Sequence, residues 1–200
     1  MAMQTDAFPR LEDLSVTECP KLKGHLPKHL RPLRSLCIEW CEQLVTSNPR
    51  AVEIEGVKME TSSFNKLELL VFDTPLESLS IYSCPGINIP INHCYHFVEY
   101  LDISCHSLTT FPLHLFPKLN FLYLLECDNL HMISQEHPHD HLNKLAIIKC
   151  SEFESFPNEG LSAPELQEFH IIKLEKLLVI YLTQEKLTKL FCFESVAIPK

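Results

Sequence analysis

Glycine is scarce in this chain, with 4 in 200 residues, and none falls into G-x-x-x-x-G-K, G-x-G-x-x-G or G-x-S-x-G. Without those loops there is no backbone cradle for a phosphate and no nucleophile elbow. Positive charge is also short: 17 Lys and Arg face 26 Asp and Glu, leaving a formal net charge of −9 with no basic cluster. That balance argues against a grip on nucleic-acid phosphates. No stretch approaches the roughly 20 consecutive apolar residues of a membrane span. The first residues, MAMQTDAFPRLEDL, hold no apolar run and an early Asp6, so no secretory signal is expected. A nucleophile–base pair is equally missing, and the expectation is a non-catalytic protein with no cofactor.

What the chain does have is apolar residues, at 46%, arranged with a period. The clearest stretch is Leu119 to Ile133, LNFLYLLECDNLHMI, in which Leu119, Leu122, Leu124, Cys127, Leu130 and Ile133 spell L-x-x-L-x-L-x-x-C-x-x-L-x-x-I. This is the skeleton of a leucine-rich repeat, a unit that cannot bury its own apolar edge and needs stacked copies. Copies run through the chain. They are Leu11-Leu14-Val16-Cys19-Leu22-Leu26 closed by Pro27, Leu33-Leu36-Ile38-Cys41-Leu44, and Leu76-Leu79-Ile81-Cys84-Ile87-Ile89 with Pro90. Next come Val98-Leu101-Ile103-Cys105-Leu108 with Phe111-Pro112, then Leu142-Leu145-Ile147-Cys150-Phe153 with Phe156-Pro157, and Leu166-Phe169-Ile171-Leu174-Leu177. The Cys105 copy is one residue short. Between Cys41 and Cys84 a blurred copy keeps only Leu67, Leu70 and Phe72 and is cut off at Asp73-Thr74-Pro75. A period of about 20–29 residues with this pattern is specific.

Nine cysteines suggest a disulfide framework until their places are compared. Cys19, Cys41, Cys84, Cys105, Cys127 and Cys150 each fill one repeated position, expected to point inward just after a strand. Parallel Cβ vectors in a stack suit a disulfide poorly, and the count is odd. These six are therefore read as structural core thiols, small hydrophobes kept reduced in a cytoplasmic or nucleo-cytoplasmic compartment.

The fold class expected is an α/β-type leucine-rich repeat solenoid of about eight repeats, with a curved parallel β-sheet on the concave face. Its outer wall is expected to be mostly irregular or short 3₁₀ structure, because prolines end the return halves. Loops enter at 45–66 and at Ser134–Asp140. Between the buried positions the strands turn a ladder outward. Its middle carries the candidate protein-binding residues Tyr82, Tyr100, Asp102, Phe121, Tyr123, Leu125, Lys144 and Ile148. One polar run, His137-Pro138-His139-Asp140-His141, holds metal-type ligands, as more weakly does Cys94 near His93 and His96. Without a partner ligand at the right spacing, both read as surface loops, and no metal is expected.

The L-x-x-L-x-I-x-x-C-x-x-L wording with trailing FP resembles the C-terminal repeats of plant nucleotide-binding, leucine-rich-repeat disease-resistance proteins, nearest to the coiled-coil branch from legumes. PLESLSIYSCPGINIPINHCY (75–95), SLTTFPLHLFPKLNFLYLLECDNLHMISQEHPHDHL (107–142) and FESFPNEGLSAPELQEF (153–169) carry the likeness. The resemblance implies a protein-recognition module of innate immunity, whose partner is a pathogen effector, a guarded host protein or the receptor's own nucleotide-binding domain. The nucleotide-binding domain itself has no counterpart here, so the chain reads as a fragment and nucleotide binding is not carried over. Residues 8–180 are read as the repeat domain and 181–200 as a degenerate or truncated repeat. A second reading is a cis-docking or functionless fragment. A third, a ubiquitin-ligase adaptor, would need an F-box-like N-terminal segment that residues 1–10 cannot form.

Overall fold

A computed structural model describes residues 8–25, 32–45, 75–85, 87, 91, 93–156 and 160–174. Eleven strands and one 3₁₀ turn are present among them: β1 Asp13–Thr17, β2 Gly24–His25, β3 Ser35–Glu39, β4 Leu44–Val45, β5 Ser78–Tyr82, β6 Tyr100–Ile103, β7 Thr110–Pro112, η1 Leu113–Leu115, β8 Phe121–Leu125, β9 Met132–Ser134, β10 Lys144–Ile148 and β11 Glu168–Ile172. Seven of them form a single parallel sheet in the order β1-β3-β5-β6-β8-β10-β11. Among the described residues the chain thus advances one strand per turn without doubling back, as the repeated sequence demands. No helix among the described residues is long and apolar enough to cross a membrane.

Within each strand the second and fourth residues point into the body. Leu36 and Ile38, Leu79 and Ile81, Leu101 and Ile103, Leu122 and Leu124, and Leu145 and Ile147 are all buried. The register aligns them row by row: Leu36 pairs with Leu79, Leu79 with Leu101, Leu101 with Leu122 and Leu122 with Leu145. Burying each such side chain contributes roughly 1.5–3 kcal/mol, and the stack shares that gain across every interface.

The spacing C-x-x-L has a local cause. In six repeats the cysteine carbonyl accepts the N–H three residues on: Leu22, Leu44, Ile87, Leu108, Leu130 and Phe153 donate to Cys19, Cys41, Cys84, Cys105, Cys127 and Cys150. A tight turn therefore carries the chain off the sheet and, in every repeat but the edge one, where Leu22 stays exposed, returns an apolar side chain to the core. The thiols close the seam between repeats. Cys41 donates to the Val16 carbonyl at 3.4 Å, Cys84 to Ile38 at 3.5 Å, Cys127 to Ile103 at 3.7 Å and Cys150 to Leu124 at 3.5 Å. In return the Cys41 and Cys105 N–H groups each donate to the thiol of the next repeat, at 3.4 Å. Cys41, Cys84, Cys105, Cys127 and Cys150 are buried and free. Cys19 is exposed, against the inward placement expected of it, because β1 is the edge strand and no described residue packs over its outer side.

At the strand entrances one carbonyl serves two donors. Glu12, Arg34, Glu77, Glu99, Asn120 and Asn143 each accept the first two N–H groups of the next repeat. The side chains of Asn120, Asn143 and Gln167 continue the ladder at 2.7 and 3.2 Å. On the return side lie the short parallel pairs β2–β4 and β7–β9, together with η1. The wall is short and broken as expected, but extended pairs, rather than 3₁₀ turns alone, join its segments. Inside it, Phe116 stacks between Tyr95 and Phe111 at 4.6 and 5.1 Å, and Phe153 meets Phe156 edge-on at 5.2 Å.

β3 and β5 are direct neighbours in the sheet. Ser35 pairs directly with Ser78 and Glu39 with Tyr82, so nothing enters the sheet between β3 and β5. The blurred copy at Leu67, Leu70 and Phe72 lies outside the described residues, as do most of the 45–66 insertion, the prolines at 27, 90 and 157, Leu177 and the 181–200 segment.

Candidate functional site

The first, third and fifth residues of each strand face away from the core and form the open face of the sheet. Register brings the eight candidate residues onto four neighbouring strands. Tyr82 stands on β5; Tyr100 and Asp102 on β6; Phe121, Tyr123 and Leu125 on β8; Lys144 and Ile148 on β10. All share one side. Phe121 is the most open of them at 38%, and the other seven are half-buried.

Three rings meet in the middle. Tyr100 lies 6.3 Å from Phe121 and 5.6 Å from Tyr123, both tilted. Lys144 extends over Tyr123 at 5.6 Å while its ammonium pairs with Glu168 at 2.6 Å. Tyr82 leaves this group. Its ring meets Trp40 edge-on at 5.1 Å, and its hydroxyl donates to Glu126 at 3.1 Å, with Lys149 holding the other Glu126 oxygen at 2.6 Å. The Lys149 hydrogen bond keeps the Glu126 carboxyl below its ordinary range.

Glu126 belongs to a recurring backbone position. Glu18, Trp40, Ser83, Glu126, Lys149 and Lys173 all adopt φ between 52° and 55°, just after their strands and just before the cysteine or its substitute. The β6 repeat lacks that residue: Ser104 joins Ile103 directly to Cys105. This is the missing residue of the short copy. It leaves β6 four residues long and lets Tyr82 reach across that repeat to Glu126.

Below the rings the face turns acidic. Glu39 accepts from the Ser80 hydroxyl at 3.0 Å and from the Cys37 thiol at 3.4 Å. Asp102 sits between Ser80 and Tyr123 in register, and its Oδ1 is buried without a hydrogen-bond partner among the described residues. Burial, and then the charge of Glu39, raise its carboxyl to about 6. Burial also pushes Tyr100 up to about 12, with the Asp102 charge adding to it.

Trp40, Glu39, Ser80, Glu126 and Lys149 were not among the expected binding residues. Trp40, half exposed at 49%, is a large ring immediately before a structural cysteine, and that was its one sequence signal. The histidine-rich run resolves differently. His139 is buried; its Nδ1 accepts from the Leu142 N–H at 3.1 Å and its Nε2 donates to the Phe116 carbonyl at 2.8 Å. The Nε2 bond ties one repeat to the next and the Nδ1 bond closes the local turn, while His137 and His141 stay exposed. No group of three His, Cys, Asp or Glu among the described residues is placed to hold a metal.

Among known proteins the chain has a relative in a plant. It is 31% identical over 192 residues, covering 84% of its own length, to an Arabidopsis thaliana protein described as a disease resistance protein. The chain spans only 12% of that relative. No protein-family model matches it, and neither does any solved structure. The one-strand-per-turn sheet fits the leucine-rich repeat region of such a protein.

Proposed function

We propose that the chain is a non-enzymatic recognition surface of a plant defence protein, binding another protein across the open face of its sheet. Residues 8–180 constitute the repeat domain and 181–200 a degenerate repeat. The partner is a pathogen effector, a host protein or a nucleotide-binding domain of the same receptor, met in the cytoplasm or nucleus. The observation that carries this reading is the registered cluster of Tyr100, Phe121 and Tyr123, with Tyr82 and Trp40 beside it, on the open face of the sheet. Exposed aromatics on a rigid scaffold supply large contact area at little conformational cost, which is why they anchor interfaces. The likeness to a disease resistance protein supplies the biological setting. Free buried thiols agree with a reducing compartment.

The test is partner recovery from plant extract with the chain, with Tyr100→Ala/Tyr123→Ala, and with the return-side variant Phe97→Ser. Proteins bound by the chain should drop at least about tenfold with the double variant, as for loss of two interface anchors, and stay with Phe97→Ser. Equal recovery with the double variant would remove the open face from the account. Co-expression with a related nucleotide-binding domain separates the cis-docking version, in which that domain alone co-purifies.

A further inference from the structure

We propose that the open face seats an arginine side chain of its protein partner, on the carboxylates of Glu39 and Asp102 and against the rings of Tyr82, Tyr100 and Tyr123. This rests on the reading above and adds the chemistry of the contact. Glu39 and Tyr82 are register partners at the fifth strand position and Asp102 and Tyr123 at the third. The Ser80 hydroxyl, beside Asp102 in register, draws the Glu39 carboxylate towards that row at 3.0 Å, so acids and rings adjoin across β3, β5, β6 and β8. Both acids lack a counter-charge among the described residues: Glu39 accepts only from the neutral Ser80 and Cys37, and the buried Asp102 oxygen accepts nothing. The neighbouring cations are engaged elsewhere. Lys144 is held by Glu168, Lys149 by Glu126, and Arg34 by Glu77 at 2.9 Å.

Charge complementarity therefore names a cation, and the walls narrow the choice. A guanidinium plane stacks on tyrosine while forking two N–H groups onto a carboxylate, and it sheds water more easily than an ammonium does. The chain shows the same pattern one step along, where Lys144 lies over Tyr123 and pairs with Glu168. A bare metal ion fits less well, since no third ligand group completes a coordination set among the described residues. The groups facing Asp102 are Cys37 and Glu39 from β3, Ser80 and Tyr82 from β5, Tyr100 from its own strand and Tyr123 from β8. As the pH falls through about 6, Asp102 takes up a proton, and the seat loses half its charge.

The probe is the acetylated, amidated tripeptide glycyl-arginyl-glycine, titrated into the full chain at about pH 7.5 and low salt and followed by the tyrosine ring signals in NMR. The expected result is saturation with Kd on the order of a millimolar, as one cation–π contact plus one charge-assisted pair would give. The glutamine tripeptide should not saturate. Asp102→Asn and Glu39→Gln should each weaken arginine binding at least about fivefold, and so should acidification to about pH 5. Saturation by the glutamine peptide to the same degree, no saturation by the arginine peptide at about 50 mM, or indifference to both substitutions would each overturn the proposal. If the arginine peptide were silent while partner recovery still depended on Tyr100 and Tyr123, the seat would fall and the broader reading would stand.

Discussion

Asp102 is the residue at which stability and the proposed recognition pull apart. Its folded carboxyl lies near 6, above the ordinary 3.8, with burial the larger cause and the Glu39 charge the lesser. A folded pKa raised above the unfolded one means the native state holds its proton longer. This group's contribution is therefore full below about pH 3.8 and is lost as the pH rises through about 6. Glu126 and Glu168, both held low by lysine hydrogen bonds, slope the other way. The prediction is a difference: Asp102→Asn should raise the melting temperature relative to the parent at about pH 7.5, with the gain shrinking towards about pH 4. Thermal melts of both proteins at the two pH values check it; a gain independent of pH would contradict the assignment. Such a cost is what a site kept for binding would carry. At this scale the sequence was partly legible. Repeat position alone foretold the burial of Cys41, Cys84, Cys105, Cys127 and Cys150, yet it could not show that Cys19 lies on an edge strand, nor that His139 among three nearby histidines is the one folded inward.

Strands and turns were more readable than single side chains, because period is a property of many residues together. All seven sheet strands fall where L-x-x-L-x-I placed them. The blurred copy at Leu67, Leu70 and Phe72, which has the spacing without the C-x-x-L turn, lies outside the described residues. The left-handed residue before five of the repeat cysteines and before Leu174 was invisible, since glycine, the usual marker, occupies none of the six positions. That geometry is uncommon for non-glycine residues and strained for β-branched ones. Ser83, with φ 53°, offers a direct check. Ser83→Val should destabilise by about 1–2 kcal/mol, whereas Ser83→Gly should be neutral within about 0.5 kcal/mol, relief of strain offsetting the added freedom of the unfolded chain. Denaturant melts of the pair read it, and an equal loss in both would mean the hydroxyl matters rather than the backbone. The shortened β6 repeat was visible as a spacing. Its consequence, Tyr82 reaching across to Glu126, needed the fold.

Across the whole molecule, stacked repeats bury one face of every strand and leave the other for contact, so the candidate site is a product of register rather than of any local motif. That is why the ladder could be written down from the sequence while its grouping could not. Tyr82 and Tyr100 stand on adjacent strands, yet one turns to Trp40 and the other to Phe121 and Tyr123. The return side offers a contrasting surface, where exposed Phe97 lies 5.5 Å beneath Lys118. Hydroxyl-radical footprinting of the chain, alone and with its recovered partner, compares the two surfaces directly. The account predicts that oxidation of Trp40, Tyr100, Phe121 and Tyr123 falls several-fold on partner binding, as these rings become desolvated anchors, while Phe97 is unchanged. Protection confined to Phe97 and the return side, with the open-face rings oxidised as before, would contradict it.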